Sequence, residues 1–162
     1  MRIAQVPPLY ESVPPKLYGG TERVVSYLTE ELVKQGHEVT LFGTKDSVTS
    51  ANLYPASDQA TRLNPHCKDP IAWHIYQLQI VMDHAEQFDI IHFHNDYLHF
   101  PLSIQNRYKH ITTLHGRLDM EDLKPVYKRF HEIPVVSISD SQRKPLPYAN
   151  WMGTVDHGLP KN

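Results

Sequence analysis

The sequence predicts an open, doubly wound α/β domain, and three observations carry that prediction. Short apolar runs of strand length alternate along the chain with segments of helical period. The changes are punctuated by glycine and proline, 7 and 13 of them in 162 residues, which supply the stops that regular elements need. No repeat, low-complexity tract or interior boundary divides the chain, so residues 1–162 read as one domain large enough to bury a core. Strands alternating with helices imply a parallel sheet covered on both faces.

The elements follow in order. "RIAQV" (Arg2–Val6) is an apolar strand. The next twelve residues, Pro7 to Tyr18, form a connection long enough to suggest a functional loop. Gly19 and Gly20 then precede a helix with Val24, Val25, Leu28 and Leu32 on one face and Gly36 placed to end it. "EVTLFG" is a second strand, and residues 44–68 are an irregular excursion holding a short strand. Asp69-Pro70 is a helix start, an N-cap followed by proline at the first helical position. Ile71, Ile75, Leu78, Met82 and Ala85 give that helix an apolar stripe. "FDIIHFH" (Phe88–His94), "HITTLHG" (His110–Gly116), "IPVVSIS" (Ile133–Ser139) and "WMGTVDHG" (Trp151–Gly158) read as further strands, with short helices near Pro101 and from Pro125 to about His131.

Composition narrows the function. A formal net charge of -2 with scattered basic residues gives no pull toward nucleic acid. No apolar run is long enough to span a bilayer, and "MRIAQV" enters a strand with no signal peptide before it. Cys67 is the single cysteine, so no intramolecular disulfide forms, and a reducing cytoplasm is the expected setting.

Ligands of open α/β sheets bind outside the carboxyl ends of the strands. At those ends stand Gly19, Gly20 and Thr21; His94, Asn95 and Asp96; His115, Gly116 and Arg117; and Ser139, Asp140, Ser141 and Arg143. Together they predict a polar cleft. The glycine pair has two readings, a turn with positive φ or an approach of ligand to bare N–H groups at a helix N-terminus. It matches neither GxGxxG nor GxxxxGK[ST]. His115 reads either as a turn residue or as a ring exposed beside close backbone. His92 and His94 share a strand face and Asp96 follows, a pattern that would suit a metal-dependent hydrolase. A catalytic metal needs about three converging ligands; no HExxH is present, His92 is expected to be a hydrogen-bonded core histidine, and no metal is expected. A non-catalytic domain that binds a ligand or partner is the third reading.

"GGTERVVSYLTEELVKQGHEVTLFG", "FDIIHFHND", "TTLHG", "VVSISDSQR" and "TVDHGLP", in this order and spacing, resemble the N-terminal half of a GT-B glycosyltransferase of family 4, the retaining enzymes that use nucleotide sugars. The resemblance implies one of two Rossmann-like domains, the acceptor-side one, facing a nucleotide-sugar domain across a cleft. It implies a UDP- or GDP-sugar as co-substrate, no covalently bound cofactor, and an acceptor that is a sugar, a lipid-linked or a small molecule. Gly19 and Gly20 would lie near the donor diphosphate and acceptor, with Thr21, His94, Asp96 and Gly116 also toward substrate. His115 would contact the transferred sugar, while Ser139 and Arg143 match a strand-end serine and a basic residue facing the cleft.

"DHGLP" resembles the linker to the C-terminal domain, which this chain lacks, so the chain alone is expected to be inactive. The family's two glutamates separated by seven residues belong to that absent half; Glu22 and Glu30 repeat the spacing by coincidence. Tyr18 and Tyr97 are expected to be exposed at the cleft, through which the isolated chain would self-associate. A peripheral place at the inner membrane surface is compatible with lipid-linked acceptors.

Overall fold

The computed structural model describes residues 1–106 and 108–160. The chain forms β1 (Arg2–Val6), α1 (Gly20–Lys34), β2 (Glu38–Leu41), β3 (Asn52–Leu53), α2 (Pro70–Asp83), β4 (Ile90–Phe93), α3 (Phe100–Ser103), β5 (His110–Thr113), α4 (Leu123–Arg129), β6 (Pro134–Ser137), α5 (Asp140–Arg143) and β7 (Asn150–Thr154). The strands make one seven-stranded sheet in the order β3-β2-β1-β4-β5-β6-β7, with every neighbouring pair parallel. The chain winds outward from β1 to β3, then crosses back and winds the other way from β4 to β7. The topological switch point therefore lies between β1 and β4, where a ligand crevice is expected.

Local chemistry sets the element ends. Asp69 caps α2 by accepting from the N–H groups of Ile71 and Ala72. Gly36, at φ 84, ends α1, and the His37 N–H donates back to the Leu32 carbonyl at 3.1 Å. The helix near Pro125 starts two residues before that proline, whose missing N–H is one the first turn leaves unpaired anyway. The four-residue α5, capped by Ser139 accepting from the Gln142 N–H, is an element the sequence reading did not include.

The core divides between the two wings of the sheet. Ala4, Val6, Ile91 and Phe93 pack against Leu78 and Val81 of α2, while Leu114 and Val135 pack against Leu123 and Tyr127 of α4. The apolar stripe expected on α2 is only partly the buried one. Ile71 and Ile75 are 44% and 54% exposed, and His74 and Gln77 are buried in their place. The reason is the long loop after β1, whose backbone passes beneath α2 and needs partners there. His74 Nε2 accepts from the Leu9 N–H at 2.9 Å, and Gln77 Nε2 donates to the carbonyls of Pro7 and Phe42 at 2.8 and 2.7 Å. A Gln77→Leu change keeps the volume but orphans two buried carbonyls, so it is expected to destabilise the fold by about 2 kcal/mol. The check is a lowered urea midpoint at constant m-value; an unchanged midpoint would show that the loop does not depend on this side chain.

The sheet carries helices on both faces, as expected from the sequence, but one face is not covered along its whole width. Right-handed crossovers place α1 on one face and α2 to α5 on the other, because the winding direction reverses after β3. On the face of α1, the stretch over β4 to β6 carries no helix among the described residues. It forms an open, mainly apolar groove of about 520 Å³, floored by His92, Ile111, Thr113 and Val136 and walled by Val24 and Leu28 of α1. These α1 residues are therefore half-buried, and the helix's fully packed side is Glu22, Val25, Ser26 and Thr29.

Candidate functional site

The carboxyl ends of the strands enclose a second cavity, of about 410 Å³. It gathers Gly19, Gly20 and Thr21 from the entrance of α1, His94 and Asp96 from the end of β4, and His115 and Gly116 from the end of β5. Ser139 stands apart, lining an adjoining open depression with Gly116 and Arg117. Arg143 lies outside both cavities: its guanidinium sits over the Trp151 ring at 5.5 Å and reaches Thr154 Oγ1 at 3.5 Å.

The two glycines differ in what they do. Neither lies in the left-handed region, Gly19 being extended at φ 178, so no left-handed turn requires them. Gly19 is buried, and a Cβ there would sit 2.7 Å from Pro15 Cβ and 2.9 Å from Glu22 Oε2, so close packing excludes any side chain. Gly20 is exposed, with nothing within 4 Å of an added Cβ. Arg23 donates the first backbone bond of α1, to Gly19, which leaves the N–H groups of Gly20, Thr21 and Glu22 ahead of the helical ladder. They and the helix dipole put positive potential at the cavity wall.

Histidines form the floor of the cavity. His94 is buried; its Nε2 lies 2.8 Å from Gln5 Oε1, and its Nδ1 lies 2.9 Å from His115 Nε2. His115 Nδ1 lies 3.1 Å from His157 Nε2, so both of its ring nitrogens are engaged. Burial pushes the His94 ring well below the ordinary histidine range, and neighbouring His92 and His115 push in the same direction. Burial, reinforced by His157 and His92, takes His115 down to about 3, so this ring is neutral at neutral pH. Asp96 holds a left-handed φ of 55, uncommon for a residue with a side chain, and burial raises its carboxyl.

His92, His94 and Asp96 do not converge as a metal-dependent hydrolase would need. His92 bonds Thr113 Oγ1 at 2.8 Å, the His94 nitrogens are taken by Gln5 and His115, and no group of three His, Cys, Asp or Glu suited to a metal occurs among the described residues. Glu22 and Glu30 likewise have separate roles. Glu22 is buried beside Gly19, and Glu30 accepts from Thr49 and Ser50 to fasten the loop after β2.

Some cavity residues were not visible in the sequence. Arg62, from the irregular stretch before α2, enters the cavity with Tyr10 and is paired through Nη1 with buried Glu11 at 2.8 Å. Gln5 and His157 join the histidines from positions 89 and 42 residues distant in sequence. Only an alternation of faces along β1, which puts Gln5 opposite Ala4 and Val6, hinted at the first of these.

The sequence profile described as Glycosyltransferase Family 4 matches residues 18–151. The chain belongs to glycosyltransferase family 4. Solved structures agree on the fold of this family 4 domain. AviGT4, a glycosyltransferase involved in avilamycin A biosynthesis, aligns over 98% of this chain and 42% of its own, with TM-score 0.57 and 18% identity. MurG of Acinetobacter baumannii aligns over 99% of this chain and 46% of its own, with TM-score 0.56 and 12% identity. The family 4 domain thus spans less than half the length of either, as one Rossmann-like half of a GT-B architecture. A search of characterised protein sequences gives no significant match. No helix among the described residues is long and apolar enough to cross a membrane.

Proposed function

We propose that this domain is the acceptor-side half of a retaining, hexosyltransferase-like enzyme that moves a sugar from a UDP- or GDP-sugar to an acceptor hydroxyl. One observation carries the reading: the cavity at the switch point joins the free N–H groups of Gly20 and Thr21 to the neutral, doubly hydrogen-bonded ring of His115. In the reaction the bond between the anomeric carbon and the diphosphate oxygen breaks, and its electron pair leaves with the diphosphate. The acceptor oxygen bonds to the same carbon from the face the diphosphate vacates, and its proton passes to the departing diphosphate oxygen. Charge on the leaving group must be stabilised and water excluded. The N–H groups at the α1 entrance serve the anion, with basic residues of a second domain supplying most of the charge. No enzyme nucleophile is required, unlike the two-carboxylate route of retaining glycosidases. His115, without a free nitrogen and neutral, suits contact with the sugar, not proton abstraction.

Ser139 and Arg143 are proposed to face the second domain's side of the cleft, and the setting is proposed to be cytoplasmic, at the inner membrane surface when the acceptor is lipid-linked. The test is titration of this chain with a UDP- or GDP-sugar, followed by amide NMR. Shifts confined to Gly20, Thr21 and Gly116 are expected at millimolar ligand, and no shift with either donor would overturn the reading. The same chain is expected to show no sugar transfer above background, since half a cleft leaves most donor contacts unmade; robust turnover would refute the need for a second domain. Tyr18 and Tyr97, 81% and 37% exposed, are available for such a domain to cover. In its absence, self-association through this surface should appear in sedimentation equilibrium as a mass that rises with concentration, and a strictly monomeric chain would count against it.

A further inference from the structure

We propose that His157 is a positioning residue for His115: it donates its Nε2–H to His115 Nδ1, holds that ring in one tautomer and orientation, and ties residues 156–160 to the cleft. The significance of this contact for sugar binding rests on the function proposed above, but the contact itself does not.

The inference starts at the buried end of the chain of rings. Gln5 is fully buried on β1 with its Oε1 2.8 Å from His94 Nε2, and we assign its amide in this orientation, so that the ring donates to it. A neutral imidazole has one N–H and one lone pair, so fixing the role of one nitrogen fixes the other. With Nε2–H directed at Gln5, His94 Nδ1 can only accept, and its partner at 2.9 Å is His115 Nε2. His115 therefore carries its proton on Nε2 and presents a lone pair at Nδ1. The group 3.1 Å from that lone pair is His157 Nε2, which must be the donor. The polarity set by one glutamine passes outward through two rings and selects the donor at the surface.

The same contact has a mechanical side. Backbone pairing beyond β7 ends with the Val155 N–H donating to the Ser137 carbonyl at 2.8 Å. Past that point, the His157 bond is the one hydrogen bond that residues 156–160 make among the described residues. His157 lines both the polar cavity and the apolar groove, so this tether stands where the two meet. A sugar hydroxyl that bonded His115 Nδ1 would have to displace His157 and release the segment. Occupancy of the cleft and freedom of residues 156–160 are then linked, and the linkage is reciprocal.

The test uses ¹⁵N NMR of the histidine rings and backbone of this chain, at mildly alkaline pH without any sugar ligand. Wild-type His115 is expected to be protonated on Nε2, with Nδ1 as a hydrogen-bonded acceptor. His157→Ala should shift the His115 Nδ1 resonance while Nε2 stays protonated, and His157→Gln, whose amide N–H can donate, should bring it back toward the wild-type position. In the reverse direction, His115→Ala should lower the backbone order parameters of residues 156–160 and leave those of β1 and β4 unchanged. Because His157 is exposed, its replacement does not endanger the fold. A His115 protonated on Nδ1, a ring signal indifferent to His157→Ala, or a segment equally ordered in His115→Ala would each overturn the proposal. None of these signals depends on sugar transfer, so they stand or fall separately from the enzymatic reading.

Discussion

Between about pH 6.5 and pH 4 this protein is expected to lose most of its stability, because buried histidines must stay neutral for it to fold. Burial lowers His92 to about 4 and His115 to about 3. It also lowers His74, His94, His99 and His110. The unfolded chain takes up protons at these rings near pH 6.5, and the folded chain does not until its own lower values are reached. The unfolded state therefore binds more protons through this window, and stability falls as pH falls. A ring between its unfolded and folded values contributes a slope of up to about 1.4 kcal/mol per pH unit, so His92 and His115 alone give up to about 2.8 kcal/mol per unit.

Against a total of roughly 5–15 kcal/mol for a domain, the about 5 kcal/mol that these two rings lose over two units of acidification is a large share. Glu22 and Asp96 oppose the trend, since burial raises both and the folded state takes up their protons first. They are two groups against six. Urea unfolding at steps from about pH 7.5 to 4.5 would measure the slope; a stability that is flat across this range would show that the rings are not held neutral.

The second large effect separates the two glycines. Gly19→Ala forces a methyl into the space of Pro15 and Glu22, and overpacking of this kind costs about 1–3 kcal/mol. The melting temperature should fall by roughly 2–4 °C for each kcal/mol lost. Gly20→Ala meets open space at the first position of a helix and should leave the melting temperature nearly unchanged. Its effect is expected on the reaction instead. In an enzyme that carries both halves, a methyl at Gly20 would obstruct the approach of the diphosphate or acceptor to the helix N-terminus. The expected loss in kcat/KM is at least about tenfold, equivalent to about 1.4 kcal/mol of transition-state stabilisation. His115→Ala should also lose activity with the domain still folded. Unchanged kinetics in the Gly20 variant would reduce that glycine to a helix entrance with no ligand to serve.

What the sequence by itself determined was local and periodic. The strand Arg2–Val6, the Asp69-Pro70 start of α2, the Gly36 stop of α1 and the parallel run of the strands follow from propensity, capping and alternation. These act over a few residues, so a linear reading suffices. The carboxyl-edge cavity was legible for a related reason. Once the strands are parallel, the residues after each strand share an edge, and Gly19 to Thr21, His94, Asp96, His115 and Gly116 met there.

Tertiary structure alone decided which side of a helix is buried and which nitrogen of a ring carries the proton. α2 turned Ile75 outward and Gln77 inward because the backbone of a loop 70 residues earlier in the sequence needed donors. The uncovered stretch over β4 to β6 depended on the handedness of each crossover relative to the reversal at β1. His115 was foreseen as a site residue, but its neutrality and its tautomer were set by Gln5, His94 and His157. Burial and hydrogen-bond polarity belong to three-dimensional neighbourhoods, and residues 42 and 89 positions apart leave no periodic trace of meeting in one.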